Sequence, residues 1–199
     1  MKGSSVSIAQ RTFVLVVFAG AFIFAAVLLF AFASLAGVML QTDGLPLTWK
    51  AGLAGLGLVA LTLVDVLAIR KNRYCPLGLR RQTPKALMRR HAPATVAIIW
   101  GFDTGLAVTT FRVAAITWGA LLMAVLGLSP WWVGLGYGVG FVLPFVILLL
   151  TTIPKVPNAQ AAFGSKLEGL LKKRAFLQSM SAAVLLTAAV LVLNATLHS

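Results

Sequence analysis

The chain has 199 residues, of which 60% are hydrophobic and 11% are charged, and its 17 Lys and Arg outweigh 4 Asp and Glu. An ordinary soluble domain carries roughly a quarter charged residues, so this composition excludes a soluble globular enzyme and a disordered chain. The single cysteine excludes a disulfide within the chain and a multi-cysteine zinc site. Apolar blocks of about 20 residues or longer instead predict a polytopic membrane protein.

The apolar blocks predict a single all-α transmembrane domain over residues 1–199, an integral membrane bundle of about five helices. The first block contains no charged residue and no short cleavage motif of small residues, which favours a retained helix over a signal peptide. Asp43, Gly44 and Pro46 then break the chain before the second block. The predicted spans cover residues 12–40, 51–69, 94–126, 132–152 and 176–197.

The third block, residues 94–126, is too long for one regular crossing. Its 33 residues would form a continuous helix of about 50 Å, whereas the hydrocarbon core of a bilayer is about 30 Å thick. We therefore expect this helix to tilt, bend, break or re-enter. A single net crossing keeps both basic loops on one side of the membrane, whereas two full crossings would place one of those loops outside.

The basic residues flank the spans. Eight of the 17 lie in the loop 70–93, five lie in the loop 153–175, and Lys2 and Arg11 precede the first span. Short loops rich in Lys and Arg stay cytoplasmic and attract anionic lipid headgroups. This pattern predicts a cytoplasmic N-terminus and an external C-terminus, with Lys50 as a loop charge on the wrong side. The net charge of +13 therefore reflects topology and does not indicate nucleic-acid binding.

Three ionisable side chains, Asp65, Asp103 and Arg112, lie inside the predicted spans. Each costs about 2.5–3.5 kcal/mol on insertion scales, so such groups face a partner or a wet cavity. Asp103 and Arg112 would point to opposite faces of a regular helix, but a break around 105–110, or pairing with Asp65, would let them meet. The alternatives are a substrate site near the midplane and a buried ion pair that fixes packing. The candidate polar site contains Asp65, Asp103, Thr104, Thr109, Thr110 and Arg112, with Trp100 beside it.

A run of alternating glycines precedes a proline in the fourth span. The glycines form two overlapping G-x-x-x-G pairs, which permit close helix packing, and the proline can kink the helix. Kinked or discontinuous helices also build the substrate sites of transporters. The residues concerned are Gly134, Gly136, Gly138, Gly140 and Pro144.

Cys75 lies in the first basic loop, where neighbouring cations would favour the thiolate. A redox or acylation role and an ordinary reduced thiol are both compatible with this position. The sequence contains no His/Asp/Glu cluster that suggests a metal site. It also contains no nucleophile elbow, phosphate loop or paired carboxylates, so we assign no catalytic residue, no cofactor and no enzymatic activity.

The run Leu135-Gly-Tyr-Gly-Val-Gly-Phe-Val-Leu-Pro-Phe resembles the fifth-helix motif of CcdA/DsbD-type transmembrane thiol–disulfide proteins, which ends in Gly-Leu-Pro-Phe. Trp100-Gly-Phe-Asp-Thr-Gly-Leu occupies the place of that family's broken helix with Trp-Thr-Pro-Cys. The resemblance covers residues 50–197 and implies five of the family's six helices in a bacterial cytoplasmic (inner) membrane. The helix with the family's first redox cysteine has no counterpart, and residues 103–105 or a neighbour replace the second cysteine. Thiol–disulfide exchange needs two thiols, so we expect the fold without the redox chemistry.

Three functions follow from these features. The first is a non-redox, CcdA-like subunit that docks a partner in a membrane complex, for example in cytochrome or thiol-protein maturation. The second is a small transporter with a midplane site at Asp103 and Arg112. The third is a thiol-redox component that acts through Cys75. The expected partners are the lipid bilayer, anionic lipid headgroups at the basic loops, and a protein partner or a second copy of the chain.

Overall fold

The computed structural model describes residues 8–77, 91–106, 114–152 and 173–197, and all regular structure in these stretches is helical. A short 3-10 helix, Thr42–Gly44, follows the first α-helix. The α-helices of the described residues are α1 (Ile8–Met39), α2 (Leu47–Arg70), α3 (Pro93–Gly105), α4 (Ile116–Val125), α5 (Val133–Thr152) and α6 (Arg174–Leu197).

Three of these helices, α1, α2 and α6, are long and apolar enough to cross a membrane, as in a multi-pass membrane protein. Two shorter apolar helical segments, Ile116–Val125 and Val133–Ile147, accompany them. Helix α2 begins four residues earlier than the predicted span because Pro46 is its N-cap and the apolar Leu47 and Trp49 continue into the helix.

In its described residues, the third apolar block forms two separate helices, α3 and α4, rather than one continuous helix. Leu106, Ala114 and Ala115 between them are not helical. At 1.5 Å per residue the two helices are about 20 Å and about 15 Å long, so neither spans a 30 Å hydrocarbon core alone.

Both halves of this block run parallel to α1. Gly101 lies against the carbonyl group of Phe18, and Gly105 one turn later lies against that of Phe22. Helix α4 continues farther along α1, where its last residue Val125 contacts Gly37. The block therefore advances in one direction along α1, with a break between the two halves.

The remaining helices run in alternating directions. Helix α5 is antiparallel to α1, since Gly134 packs near Phe30 whereas Val142 packs near Phe18. Helix α6 is antiparallel to α2, since Gly55 packs near Leu193 whereas Asp65 bonds to Ser181, and α4 packs against both helices. The described core has three clusters: an aromatic-rich contact between α1, α3 and α5, a contact between α1, α4 and α5, and a contact between α2, α4 and α6. The buried residues of the last cluster are Leu58, Cys75, Ala115, Leu185 and Ala189.

Polar contacts close the end of the bundle that holds the 3-10 helix. The Thr42 hydroxyl lies 2.9 Å from both the Gly37 and the Val125 carbonyl oxygens, at the C-terminal ends of α1 and α4. The Lys50 ammonium lies 3.8 Å from the Asp43 carboxylate. This ion pair accommodates the lysine that the charge pattern leaves on the wrong side.

Candidate functional site

The centre of the candidate site is Asp65, which lies in α2 with 0% of its surface exposed. It precedes the end of the helix at Arg70 by about one and a half turns. The structure therefore places this carboxyl group inside the protein. A polar group buried among apolar helices needs hydrogen-bond partners, because an unpaired one is costly.

Two elements that are distant in sequence supply these partners. The Ala115 backbone N–H donates to the two carboxyl oxygens of Asp65 over 3.0 and 3.1 Å, and the Ser181 hydroxyl of α6 donates over 2.6 Å. Ala115 is the N-cap residue of α4. The start of a helix carries unpaired N–H groups and the positive end of its dipole, so it favours a carboxylate. Asp65 thereby joins α2, α4 and α6.

The segment after α2 folds against the first turns of α6. The Gln178 side-chain amide donates to the Arg73 carbonyl oxygen over 3.0 Å, and Arg174 donates to the Asn72 side chain. The Arg174 guanidinium also lies 5.0 Å from the centre of the Tyr74 ring, within cation–π range. These contacts fix residues 71–77 over the end of α2 next to Asp65.

Cys75 lies within this segment and is only 4% exposed. Burial raises the pKa of the Cys75 thiol, the charge of Asp65 adds to this, and a hydrogen bond from the Leu77 backbone partly offsets it. A raised pKa lowers the thiolate fraction at every pH below that pKa, so the thiol stays protonated at neutral pH. This direction is opposite to the one expected from the basic neighbours, and its largest cause is burial of the thiol.

The other predicted polar residues are distributed differently. Asp103 and Thr104 are half-buried near the end of α3. The Thr104 hydroxyl lies 2.6 Å from the Trp100 carbonyl oxygen, so it bonds within its own helix. Thr109, Thr110 and Arg112 lie outside the described residues, as does the predicted pairing of Arg112 with Asp103. Among the described residues, the hydrogen-bond donors to Asp65 are Ala115 and Ser181.

The alternating glycines of α5 occupy two different environments. A Cβ atom at Gly134 would lie 2.9 Å from the Ala26 carbonyl oxygen, and one at Gly138 would lie 3.1 Å from the Ile23 Cα. Gly136 and Gly140 are exposed, and a Cβ atom at either would meet nothing within 4 Å. One pair therefore packs on α1, and the other leaves an open helix face.

Ser181 and Gln178 were missed by sequence reasoning. They lie three residues apart in α6, which places them on the same face of the helix, so their spacing could have indicated a shared polar contact. The Ala115 donor is a backbone group, and residue type gives no indication of it. In the part of the chain that the structure describes, no group of three or more His, Cys, Asp or Glu side chains could hold a metal ion.

Comparison with known protein families, curated proteins and solved structures finds no match to this chain.

Proposed function

We propose that this chain is a non-redox subunit of a membrane complex, CcdA-like in fold, that docks a transmembrane helix of a partner on the open face of α5. The observation that carries the proposal is the contrast between the two glycine pairs of that helix. Gly134 and Gly138 pack against α1, whereas, apart from the adjoining residues and backbone of α5 itself, no atom of the described structure lies within 4 Å of a Cβ atom placed at Gly136 or Gly140. In lipid, helices associate through small residues that let two backbones approach closely.

Pro144 supports this assignment, because it lies on the same open face. It follows Gly140 by one turn, is exposed, and sits inside the continuous helix α5. Proline has no N–H, so the Gly140 carbonyl oxygen lacks the donor that a regular helix supplies at this position. A backbone carbonyl without a donor is costly in hydrocarbon, and a docked helix would cover it and could supply a donor.

The environment of Cys75 supports a role without thiol chemistry. Reactive cysteines are accessible and have a lowered pKa, whereas this thiol is buried and its pKa is raised. The chain has no second cysteine with which it could form a disulfide.

The helix directions support five crossings with both basic loops on the same side. Helices α1, α3, α4 and α6 run one way, and α2 and α5 run the other way. The two basic loops begin and end at neighbouring points, since Arg174 at the start of α6 contacts Asn72 just after α2. We place this end in the cytoplasm of a bacterial cell, by the positive-inside rule.

The test compares two double variants of the same helix. Gly136→Leu/Gly140→Leu fills the open face, and we expect it to fold as wild type but to lose a partner that co-purifies in mild detergent at fixed stoichiometry. Gly134→Leu/Gly138→Leu forces side chains into α1, and we expect it not to fold.

Two outcomes would contradict docking at this face. One is a wild-type protein that purifies as a monomer without any stoichiometric partner. The other is an open-face variant that retains the partner in the wild-type ratio. A crosslink between two copies of this chain through α5 would identify the partner helix as that of a second copy.

A small transporter is the second candidate, favoured by the buried Asp65 at the start of the half-helix α4. Intramembrane carboxyl groups form proton relays in pumps and transporters, and discontinuous helices line many transporter sites. The test is proton flux into proteoliposomes that contain a pH-sensitive dye and carry a potassium diffusion potential. If the chain transports protons, the wild-type flux should exceed that of empty vesicles. Asp65→Asn should abolish this flux, and Ser179→Ala should preserve it. Flux equal to that of empty vesicles would remove this candidate for protons.

A further inference from the structure

A slot lined by apolar side chains opens at the basic end of the bundle, between α1, α3 and α5. Its outer part is a cavity of about 340 Å³ that begins at His91 and Pro93, and its inner part is a cavity of about 120 Å³. The two parts share Phe18, Trp100 and Phe145 as walls. We call this pair of cavities the aromatic slot.

The inner walls of the aromatic slot offer no free polar group to a ligand. They are aromatic and aliphatic apart from Thr104, whose hydroxyl is engaged with carbonyl oxygens of its own helix. A polar ligand group placed there would lose its hydrogen bonds to water without replacement, at a cost of a few kcal/mol. The part of an occupant that enters the slot is therefore a hydrocarbon.

The depth of the slot matches one leaflet of a bilayer. Its walls extend along α3 from Pro93 to Thr104, which is about 16 Å at 1.5 Å per residue. The hydrocarbon core is about 30 Å thick, so one leaflet contributes about half of this. A single lipid acyl chain that enters from the headgroup region would fill this depth.

Basic residues lie close in the sequence to the lining residues at the mouth of the slot. Arg89 and Arg90 directly precede His91 in the sequence, and Arg11 lies in α1 one turn before the lining residue Val14. Helix α3 begins here with no side-chain cap, so its positive dipole end is also at the mouth. These features favour an anionic group over a neutral one at the entrance.

We propose that the aromatic slot binds one acyl chain of a phospholipid whose anionic headgroup lies at the mouth beside His91. This lipid is a specific ligand and differs from the lipids that surround any membrane protein. The inference is independent of partner docking, because the slot and the open face of α5 involve different residues.

Native mass spectrometry of the full chain in detergent with equal amounts of phosphatidylglycerol and phosphatidylcholine tests the proposal. We expect the wild-type protein to retain one phosphatidylglycerol molecule. It should bind phosphatidylglycerol about fivefold more tightly than phosphatidylcholine, because a basic residue near an anionic headgroup contributes about 1 kcal/mol. Val96→Phe narrows the slot and should reduce retention at least fivefold. Ile98→Phe, on the bilayer-facing side of the same helix where Ile98 is 51% exposed, should leave retention unchanged.

A second variant tests the headgroup without altering the slot. His91→Glu at the exposed mouth should remove the preference for phosphatidylglycerol while the protein stays monodisperse. Equal retention by Val96→Phe and Ile98→Phe would show that the lipid lies elsewhere and would overturn the proposal. Equal retention of both lipids by wild type would overturn the headgroup assignment.

Discussion

Asp65 is held by two donors of different kinds, a backbone amide and a hydroxyl. Any residue except proline at position 115 keeps the backbone N–H donor, whereas the donor at Ser181 depends on its side chain. Substitution at Ser181 therefore removes one hydrogen bond while the Ala115 contact remains available. This makes Ser181 the position at which the contribution of the buried contact to stability can be measured.

We predict that Ser181→Ala lowers the free energy of unfolding by about 1–2 kcal/mol, because a buried carboxyl group loses its hydroxyl donor. The measurement is a reversible unfolding titration in mixed micelles, compared with Ser179→Ala. Ser179 is exposed on the same helix, so its substitution should change little. Equal effects of the two substitutions would mean that the hydrogen bond to Asp65 contributes nothing to stability.

The sequence allowed the polar side chains within the spans to be named, but not their partners. An acidic residue in an apolar helix predicts a compensating contact, and Asp65 has one. Its partners come from residues 115 and 181, and neither composition nor periodicity brings those segments to α2. Cys75 shows the same limit, since its burial depends on residues 71–77 folding against the start of α6.

At the scale of whole elements, length arithmetic was the most informative part of the sequence. A block of 33 apolar residues cannot be one straight crossing, and it divides into α3 and α4. The break between them leaves the start of α4 at Asp65 on α2. The length of the block predicts that a break is needed. It does not predict that the start of α4 contacts the Asp65 carboxyl group, because Asp65 lies in α2.

Helix α5 shows why packing faces are hard to predict in membranes. Because the glycines occupy every second position, one pair lies on each of two helix faces. From the sequence, both faces consist of small and apolar residues. Lipid is as apolar as a protein core, so hydrophobicity does not indicate which face turns inward. Only the contacts with α1 distinguish Gly134 and Gly138 from Gly136 and Gly140.

At the scale of the whole molecule, two groups of helices share one connecting element. Helices α1, α3 and α5 form one group, α2 and α6 form the other, and α4 contacts members of both. The alternating directions of the helices predict which connections share a side of the membrane. This prediction can be tested without knowledge of the function.

We predict that Thr48→Cys and Lys71→Cys, each in a Cys75→Ser background, react with a membrane-impermeant maleimide from opposite sides. Both positions are exposed at the two ends of α2. Thr48→Cys should be labelled in intact bacterial cells and Lys71→Cys only after permeabilisation. Labelling of both from one side would show that α2 does not cross, and the reverse pattern would invert the assigned orientation.

The hydrogen bond between Asp65 and Ser181 also constrains how the chain is made. The two residues are 116 positions apart, so α2 leaves the ribosome long before its hydroxyl donor is synthesised. Until α6 is released, α2 exposes an incompletely paired carboxyl group to the bilayer or to the insertion machinery. The contact is thus completed only after α6 has been made, and a chain truncated before α6 leaves the Asp65 carboxyl group without its hydroxyl donor.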